Sequence, residues 1–230
     1  MNEPVPSPKP LLGADNNAMV ALVVINLSVA AMVIFIRSVY FLEGHSYQSY
    51  LDDVFTKIVL HPNTVTQYPW TILSFSWVLS DYWSLFTNLF WLFVFGNILQ
   101  SNGANKHIFP IYFYTGLLVA AFYLIFPASI AIMGAGFGVL ALAIAALIWA
   151  PNYPFMGTRQ KWITTKWLVL LYVGLVLFFN AQAPLSIELC LVVAAVSGCL
   201  YMFLLKRGVD LGKWMHQLLH LLNNSLAPKN

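Results

Sequence analysis

The chain has 230 residues, 60% of them apolar and only 8% charged, with a formal net charge of +3. Soluble domains run at ~45–50% apolar and ~25% charged, so no water-soluble fold has an interior large enough to hide these side chains. The composition excludes a soluble enzyme and predicts an all-α, polytopic membrane protein whose first partner is the lipid bilayer; no nucleic-acid partner, metal or cofactor is expected.

Residues 1–17 are polar and carry Pro4, Pro6, Pro8 and Pro10, which predicts a disordered tail. The tail lacks the basic start of a secretory signal, and the apolar run after it is too long for a signal core. Ala18 to Tyr40 reads as a retained first span, with Arg37 near its end placed to snorkel to the interface. The first loop covers residues 41–82. In it Tyr47, Tyr50, Leu51, Val54, Phe55 and Ile58 keep helical spacing, while Gln48, Asp52, Asp53 and Lys57 fall elsewhere. That pattern predicts one amphipathic helix lying in the headgroup region. His61-Pro62-Asn63 reads as a turn, and Trp70, Trp77, Tyr82 and Trp83 suit the membrane interface.

Trp83 to Leu99 is the second span, and Asn88 inside it needs a hydrogen-bonding partner in the bundle. Ile108 to Phe126 is the third, joined by a short turn through Pro127 and Ser129 to the fourth, Ser129 to Ala150. At ~1.5 Å per residue this charge-free stretch is long enough for a ~30 Å hydrocarbon core. Gly134 and Gly138 stand four apart, and Ala131, Ala141 and Ala145 continue their face. Such a bare helix suits the middle of a bundle, because neighbours can approach its backbone. A polar loop with Arg159 and Lys161 leads to the fifth span, Lys166 to Phe179; a tight turn, Ala181 to Ser186, leads to the sixth, Ile187 to Leu205. Ala194 and Gly198 repeat the four-residue spacing, which predicts that the fourth and sixth spans meet through Gly134, Gly138, Ala194 and Gly198. The membrane domain is thus 18–205.

Residues 206–230 follow it. Leu211, Trp214, Met215, Leu218, Leu219 and Leu222 again match the amphipathic template, with Lys213, His216, His220 and Asn223 on the other face, which predicts a second in-plane helix. His216-Gln217-Leu218-Leu219-His220 has two histidines at metal-ligand spacing but lacks the glutamate base of a zinc protease, so it reads as a wet helix face. Cys190 and Cys199 lie about 13 Å apart along one helix, too far for a disulfide, and read as small packing residues.

The loop charges orient the bundle. With the N-terminus inside, Lys9, Lys106, Arg159, Lys161, Lys166, Lys206, Arg207, Lys213 and Lys229 are cytoplasmic and only Arg37 and Lys57 are outside. Nine cations against two predict both termini in the cytoplasm.

From about Trp70 to Trp214 the layout resembles a rhomboid, the family of intramembrane serine proteases. Trp83-Ser-Leu-Phe-Thr-Asn88-Leu-Phe-Trp91-Leu-Phe-Val-Phe-Gly96 is similar to the family's second span, W-H-x-x-x-N-x-x-x-L-x-x-x-G, and Gly198 to Gly208 is similar to the end of the sixth span of many bacterial rhomboids. The resemblance implies a six-span fold in a bacterial inner membrane. It also implies a serine in G-x-S-G at the start of the fourth span and a histidine in A-H-x-x-G-x-x-x-G in the sixth. Aligning Gly134-Ala135-Gly136-Phe137-Gly138 with the continuation of the serine motif puts Met133 at the serine and Ala131 at the first glycine. Anchoring on Gly198 puts Leu191 at the histidine, after Cys190, with Ala194 at the first glycine. Of the implied oxyanion donors, Asn88 matches, Ser84 replaces a histidine, and Leu79 stands where the first loop commonly offers another histidine.

The five histidines, His45, His61, His107, His216 and His220, all fall outside the six predicted spans. A buried hydroxyl needs an adjacent base to become a nucleophile, and neither methionine nor leucine supplies one. Three functions are weighed. The first is a dyad-less rhomboid that binds transmembrane segments of client proteins around Ser84, Asn88 and Gly134. The second is an active intramembrane serine endopeptidase with a relocated site, such as Ser84 with a loop histidine. The third, a small transporter or channel, lacks the mid-span charge such proteins use.

Overall fold

The computed structural model describes residues 17–79, 81–126, 128, 130–154 and 163–215. The sequence expectations for residues 1–16, for the loop carrying Arg159 and Lys161, for Ser129, and for the C-terminal helix beyond Met215 with His216 and His220 lie outside the described residues. The architecture is all-helical. Helix α1 is Ala18–Leu42, α2 is Tyr47–Asp53, α3 is Thr71–Ser74, α4 is Tyr82–Ser101, α5 is Asn105–Ile125, α6 is Ala135–Trp149, α7 is Thr165–Phe179 and α8 is Leu185–Lys206. Short 3-10 turns cover Phe55–Lys57 and Phe75–Trp77. Helices α1, α4, α5 and α8 are long and apolar enough to cross a membrane, whereas α6 and α7 have 15 residues each, about 22 Å at the helical rise.

Helix α6 is the axle of the bundle. It packs against α4, α5, α7 and α8, and from Phe137 to Ala143 every side chain is buried. Its small residues allow this, but not in the arrangement expected from spacing alone. The expected fourth span is helical only from Ala135. Residues 130–134 are non-helical because tertiary pairing claims their backbone. Ile132 and Leu60 of the first loop exchange both N–H···O bonds, at 2.9 and 3.2 Å, and the Tyr123 hydroxyl reaches the carbonyls of Ala128 and Ile130. Irregular backbone at membrane depth persists only where protein satisfies its polar groups in this way.

The glycines follow suit. A Cβ on Gly134 would lie 2.5 Å from the Phe75 ring, and one on Gly138 would lie 2.4 Å from the Tyr112 ring, so these two face the first loop and α5 rather than the sixth span. The close seam between α6 and α8 runs instead through Gly198, where an added Cβ would sit 2.5 Å from the Ala141 carbonyl oxygen. Ala194 is fully buried in the core.

The first loop departs from a single in-plane helix. Helix α2 ends at Asp53, Val54 breaks it, and a 3-10 turn follows. The Tyr40 hydroxyl donates to Asp53, and the Thr56 hydroxyl donates to the Leu51 carbonyl; both bonds tie the end of α2 to its surroundings rather than letting it run on. Tyr50, on the apolar face of the expected helix, is buried. Further along, the Trp70 indole N–H donates to the Lys57 carbonyl at 2.8 Å and the Ser74 hydroxyl to the Ile58 carbonyl at 2.8 Å. Trp77 stacks on Tyr112 at 4.9 Å, so it is an inward anchor rather than an interfacial residue, while Trp70, Tyr82 and Trp83 are exposed.

One further correction matters for the chemistry. Helix α5 starts at Asn105, after a turn with Gly103 at φ +78°, and so includes His107, which is buried. Hydropathy marks where apolar residues begin; the helix begins earlier, where the turn ends. The His107 ring nitrogen lies 3.1 Å from the Tyr201 hydroxyl and 3.8 Å from the Asp210 carboxylate, which is why a polar ring is tolerated there. Asp210 belongs to a segment beyond α8 that folds back on α5: the Tyr114 hydroxyl donates to the Leu211 carbonyl, and the Trp214 indole N–H donates to Tyr114. Residues 213–215 are helical; the rest of the expected second in-plane helix lies outside the described residues. Since α2 and this segment lie at opposite ends of the bundle, impermeant labelling of cysteines placed at Asp52 and Lys213 should reach them from opposite faces of the membrane. Labelling of both from one face would overturn the six-span topology.

Candidate functional site

Four elements enclose a groove of about 410 Å³. The first wall comes from α4. Asp81 caps this helix, accepting from the Ser84 backbone N–H and from the Ser84 hydroxyl, both at 2.8 Å. With the helix start thus fixed, Ser84, Thr87, Asn88 and Trp91 fall at i, i+3, i+4 and i+7 and present one face to the groove. The second wall is the extended segment held by Leu60, which offers Ala131, Ile132 and Met133. Tyr172 and Val176 of α7 supply the third wall, and Ile187 and Leu191 of α8 the fourth.

Tyr112 sets the register of these walls. Its hydroxyl sits 3.0 Å from the Ser76 carbonyl and 3.2 Å from the Ala135 carbonyl, and 3.5 Å from the Asn26 amide oxygen. One buried side chain thereby joins the first loop, α1, α5 and the start of α6 beside Met133.

Asn88 is the anomaly. It is only 6% exposed, and among the described residues neither its amide nitrogen nor its amide oxygen has a hydrogen-bond partner. The Tyr112 hydroxyl lies beside it, close enough to interact. Leaving such a group buried and unpaired costs about 1–3 kcal/mol.

The groove brings together Ser84, Asn88, Met133 and Leu191, the positions that the sequence singled out. Gly134 does not join them. Its N–H donates to the Phe75 carbonyl at 2.7 Å, and the Phe75 ring covers it, so it faces away from any groove ligand; Gly136 lines the groove in its place. Thr87, Trp91 and Tyr172 were missed from the sequence. The first two carry a signal, since they fall on the helical face of Ser84; Tyr172 has none without the tertiary fold.

None of the described histidines lines the groove. His61 is the neighbour of Leu60 in the bridge to Ile132, and its Nδ1 accepts from the Asn63 N–H at 3.1 Å. His107 sits at the depth of Tyr201, ten residues beyond Leu191 on α8, about 15 Å along the axis. Ser197 is also remote from the groove chemistry: its hydroxyl meets the Thr115 hydroxyl at 2.7 Å and donates to the Ala194 carbonyl. What the groove offers is a largely apolar cleft whose polar groups include the amides of Asn88 and Asn180, the hydroxyls of Ser84, Thr87 and Tyr172, and the Met133 thioether.

A family model described as the rhomboid domain matches residues 66–208. The chain belongs to the rhomboid family. The match starts in the first loop and ends just after α8, so it contains every wall of the groove. No curated protein and no solved structure matches the chain. Membership makes this a rhomboid-like integral membrane protein, and the groove occupies the region where the motif alignment placed the family's catalytic pair.

Proposed function

We propose that this rhomboid holds transmembrane segments of client proteins in the groove and does not cleave them. One observation supports the reading: the positions aligned with the family dyad, Met133 and Leu191, line the same groove as Asn88, whose buried amide has no hydrogen-bond partner among the described residues. An apolar cleft with an unsatisfied amide suits a helix that brings its own polar side chain. Inside a membrane such an interhelical hydrogen bond is worth about 0.6–2 kcal/mol, with dispersion along the apolar walls adding to it.

The alternative, a protease with a relocated site, would use Ser84. The partner its hydroxyl meets is the Asp81 carboxylate, a base far weaker than an imidazole for this task. Both termini in the cytoplasm belong to the same proposal, supported by the distribution of lysine and arginine, and residence in a bacterial inner membrane belongs to it by the resemblance to bacterial rhomboids alone.

Photo-crosslinking tests the client reading. A benzophenone side chain at Met133 should capture a model single-span peptide with a central asparagine more efficiently than one with leucine there, and Asn88→Leu should abolish the preference. A crosslinker at Leu200, exposed on α8, serves as the reference. Equal capture from Leu200 and Met133 would show that the groove does not receive the segment.

A further inference from the structure

A second crevice opens between α1 and the first loop and shares only Leu79 with the groove. Its depth is apolar: Val29 and Val33 of α1 face Leu85 of α4. Its rim is polar, with Arg37 and Asp81, and the buried Tyr50 lines it below. Val29, Val33 and Arg37 are spaced i, i+4, i+8, so one face of α1 runs from hydrocarbon contact to a cation.

Arg37 is held by aromatic rings. Its guanidinium lies over the Phe41 ring at 5.5 Å and the Tyr47 ring at 5.2 Å, which fixes its plane. Among the described residues the ion pairs are those of His45 with Glu43 and His107 with Asp210, and neither involves Arg37. Its positive charge reaches into the crevice, where it partly offsets the upward push that burial gives the Tyr50 hydroxyl. A guanidinium over apolar walls matches an amphiphile whose anionic group is joined to an alkyl chain. A phosphate diester suits the guanidinium fork. Asp81 on the same rim works against a second negative charge and favours a headgroup that carries a compensating ammonium.

We infer that this crevice is a binding site for a zwitterionic glycerophospholipid, ethanolamine-type, with its phosphate on Arg37 and an acyl chain along Val29 and Val33. The lipid would wedge between α1 and the first loop, filling a gap the protein leaves open, at the end of the bundle where α2 lies.

Native mass spectrometry of the delipidated full chain tests this, titrated separately with dioleoyl phosphatidylethanolamine, dioleoyl phosphatidylglycerol and dioleoylglycerol. The expected result is one phosphatidylethanolamine held most tightly, about tenfold weaker retention in Arg37→Gln, recovery in Arg37→Lys, and no change in Lys57→Gln, the other cation of this end. Melting of Arg37→Gln in lipid-free detergent checks that the variant folds; a variant that does not fold leaves Arg37→Lys and the comparison of lipids on the wild-type chain to decide. Equal retention of dioleoylglycerol and phosphatidylethanolamine by the wild-type chain overturns the site. Phosphatidylglycerol held as tightly, with the same dependence on Arg37, overturns the headgroup assignment.

Discussion

Gly198→Ala should lower the melting temperature of the protein in detergent, with a loss of about 1–3 kcal/mol, and Gly198→Leu should lower it further. The new Cβ would stand 2.5 Å from the Ala141 carbonyl oxygen and 3.1 Å from the Ala141 Cα. These are backbone atoms of the central helix, so no rotamer change relieves the contact; α6 or α8 must move. Helix α6 has little room to do so, because it packs against four helices and ten of its residues between Ala135 and Ala146 are buried. A core packed this tightly transmits a displacement rather than absorbing it. Helix α7 carries the matched control. A Cβ at Gly174 meets nothing within 4 Å, so Gly174→Ala should leave the melting temperature nearly unchanged. Unfolding followed by tryptophan fluorescence reads both variants. If Gly198→Ala melts with the wild type, the two helices are not held together at this seam.

The parts of this fold that were legible in the sequence are those fixed by local chemistry. The spans α1, α4, α5, α7 and α8 follow runs of apolar residues, and their observed ends lie within a few residues of the expected ones. The start of α6 was not legible, because Ile132 is drawn out of helix by its pairing with Leu60, a residue distant in the chain. The same pairing explains why Gly134 and Gly138, four apart in sequence, do not share a partner: Gly134 precedes the helix as its cap, and Gly138 is the approach point for the Tyr112 ring. Spacing finds a small-residue face but not the neighbour that uses it. His107 was missed for a related reason. The polar partners that make its burial tolerable, Tyr201 and Asp210, come from the far end of the chain. Within the groove, Ser84, Asn88, Met133 and Leu191 were found by aligning motifs, whereas Tyr172 enters only because α7 leans on α4 through Trp91 and Phe95.

In liposomes the protein should leave a model single-span substrate intact under conditions in which an active rhomboid cleaves it. A serine nucleophile and its imidazole act as a unit, and losing such a unit removes on the order of 10⁶ in rate. The aligned positions hold a thioether at Met133 and an isobutyl group at Leu191, both lining the groove, so neither half of the unit is there to be recruited. Rescue by Met133→Ser with Leu191→His should also fall short. Ser84 stands where the motif alignment implies an oxyanion imidazole, and one donor of that kind is worth about 10²–10³; the Gly134 N–H, which already donates to the Phe75 carbonyl, cannot substitute for it without breaking the first loop away from α6. Three histidine-dependent escapes remain open to measurement. His61 lies beside the Leu60–Ile132 bridge, and a shift of the first loop would carry it toward Met133. His107 is fixed to Tyr201 about 15 Å deeper, and His45 sits in the exposed turn beyond α1, stacked on Tyr40 at 4.4 Å. The assay therefore includes Ser84→Ala, His45→Ala, His61→Ala and His107→Ala. Turnover by the wild-type protein that disappears in Ser84→Ala or in any of the histidine variants would establish an enzyme with a relocated site. The expected outcome under the proposed client-binding reading is intact substrate throughout, with the same substrate crosslinking at Met133.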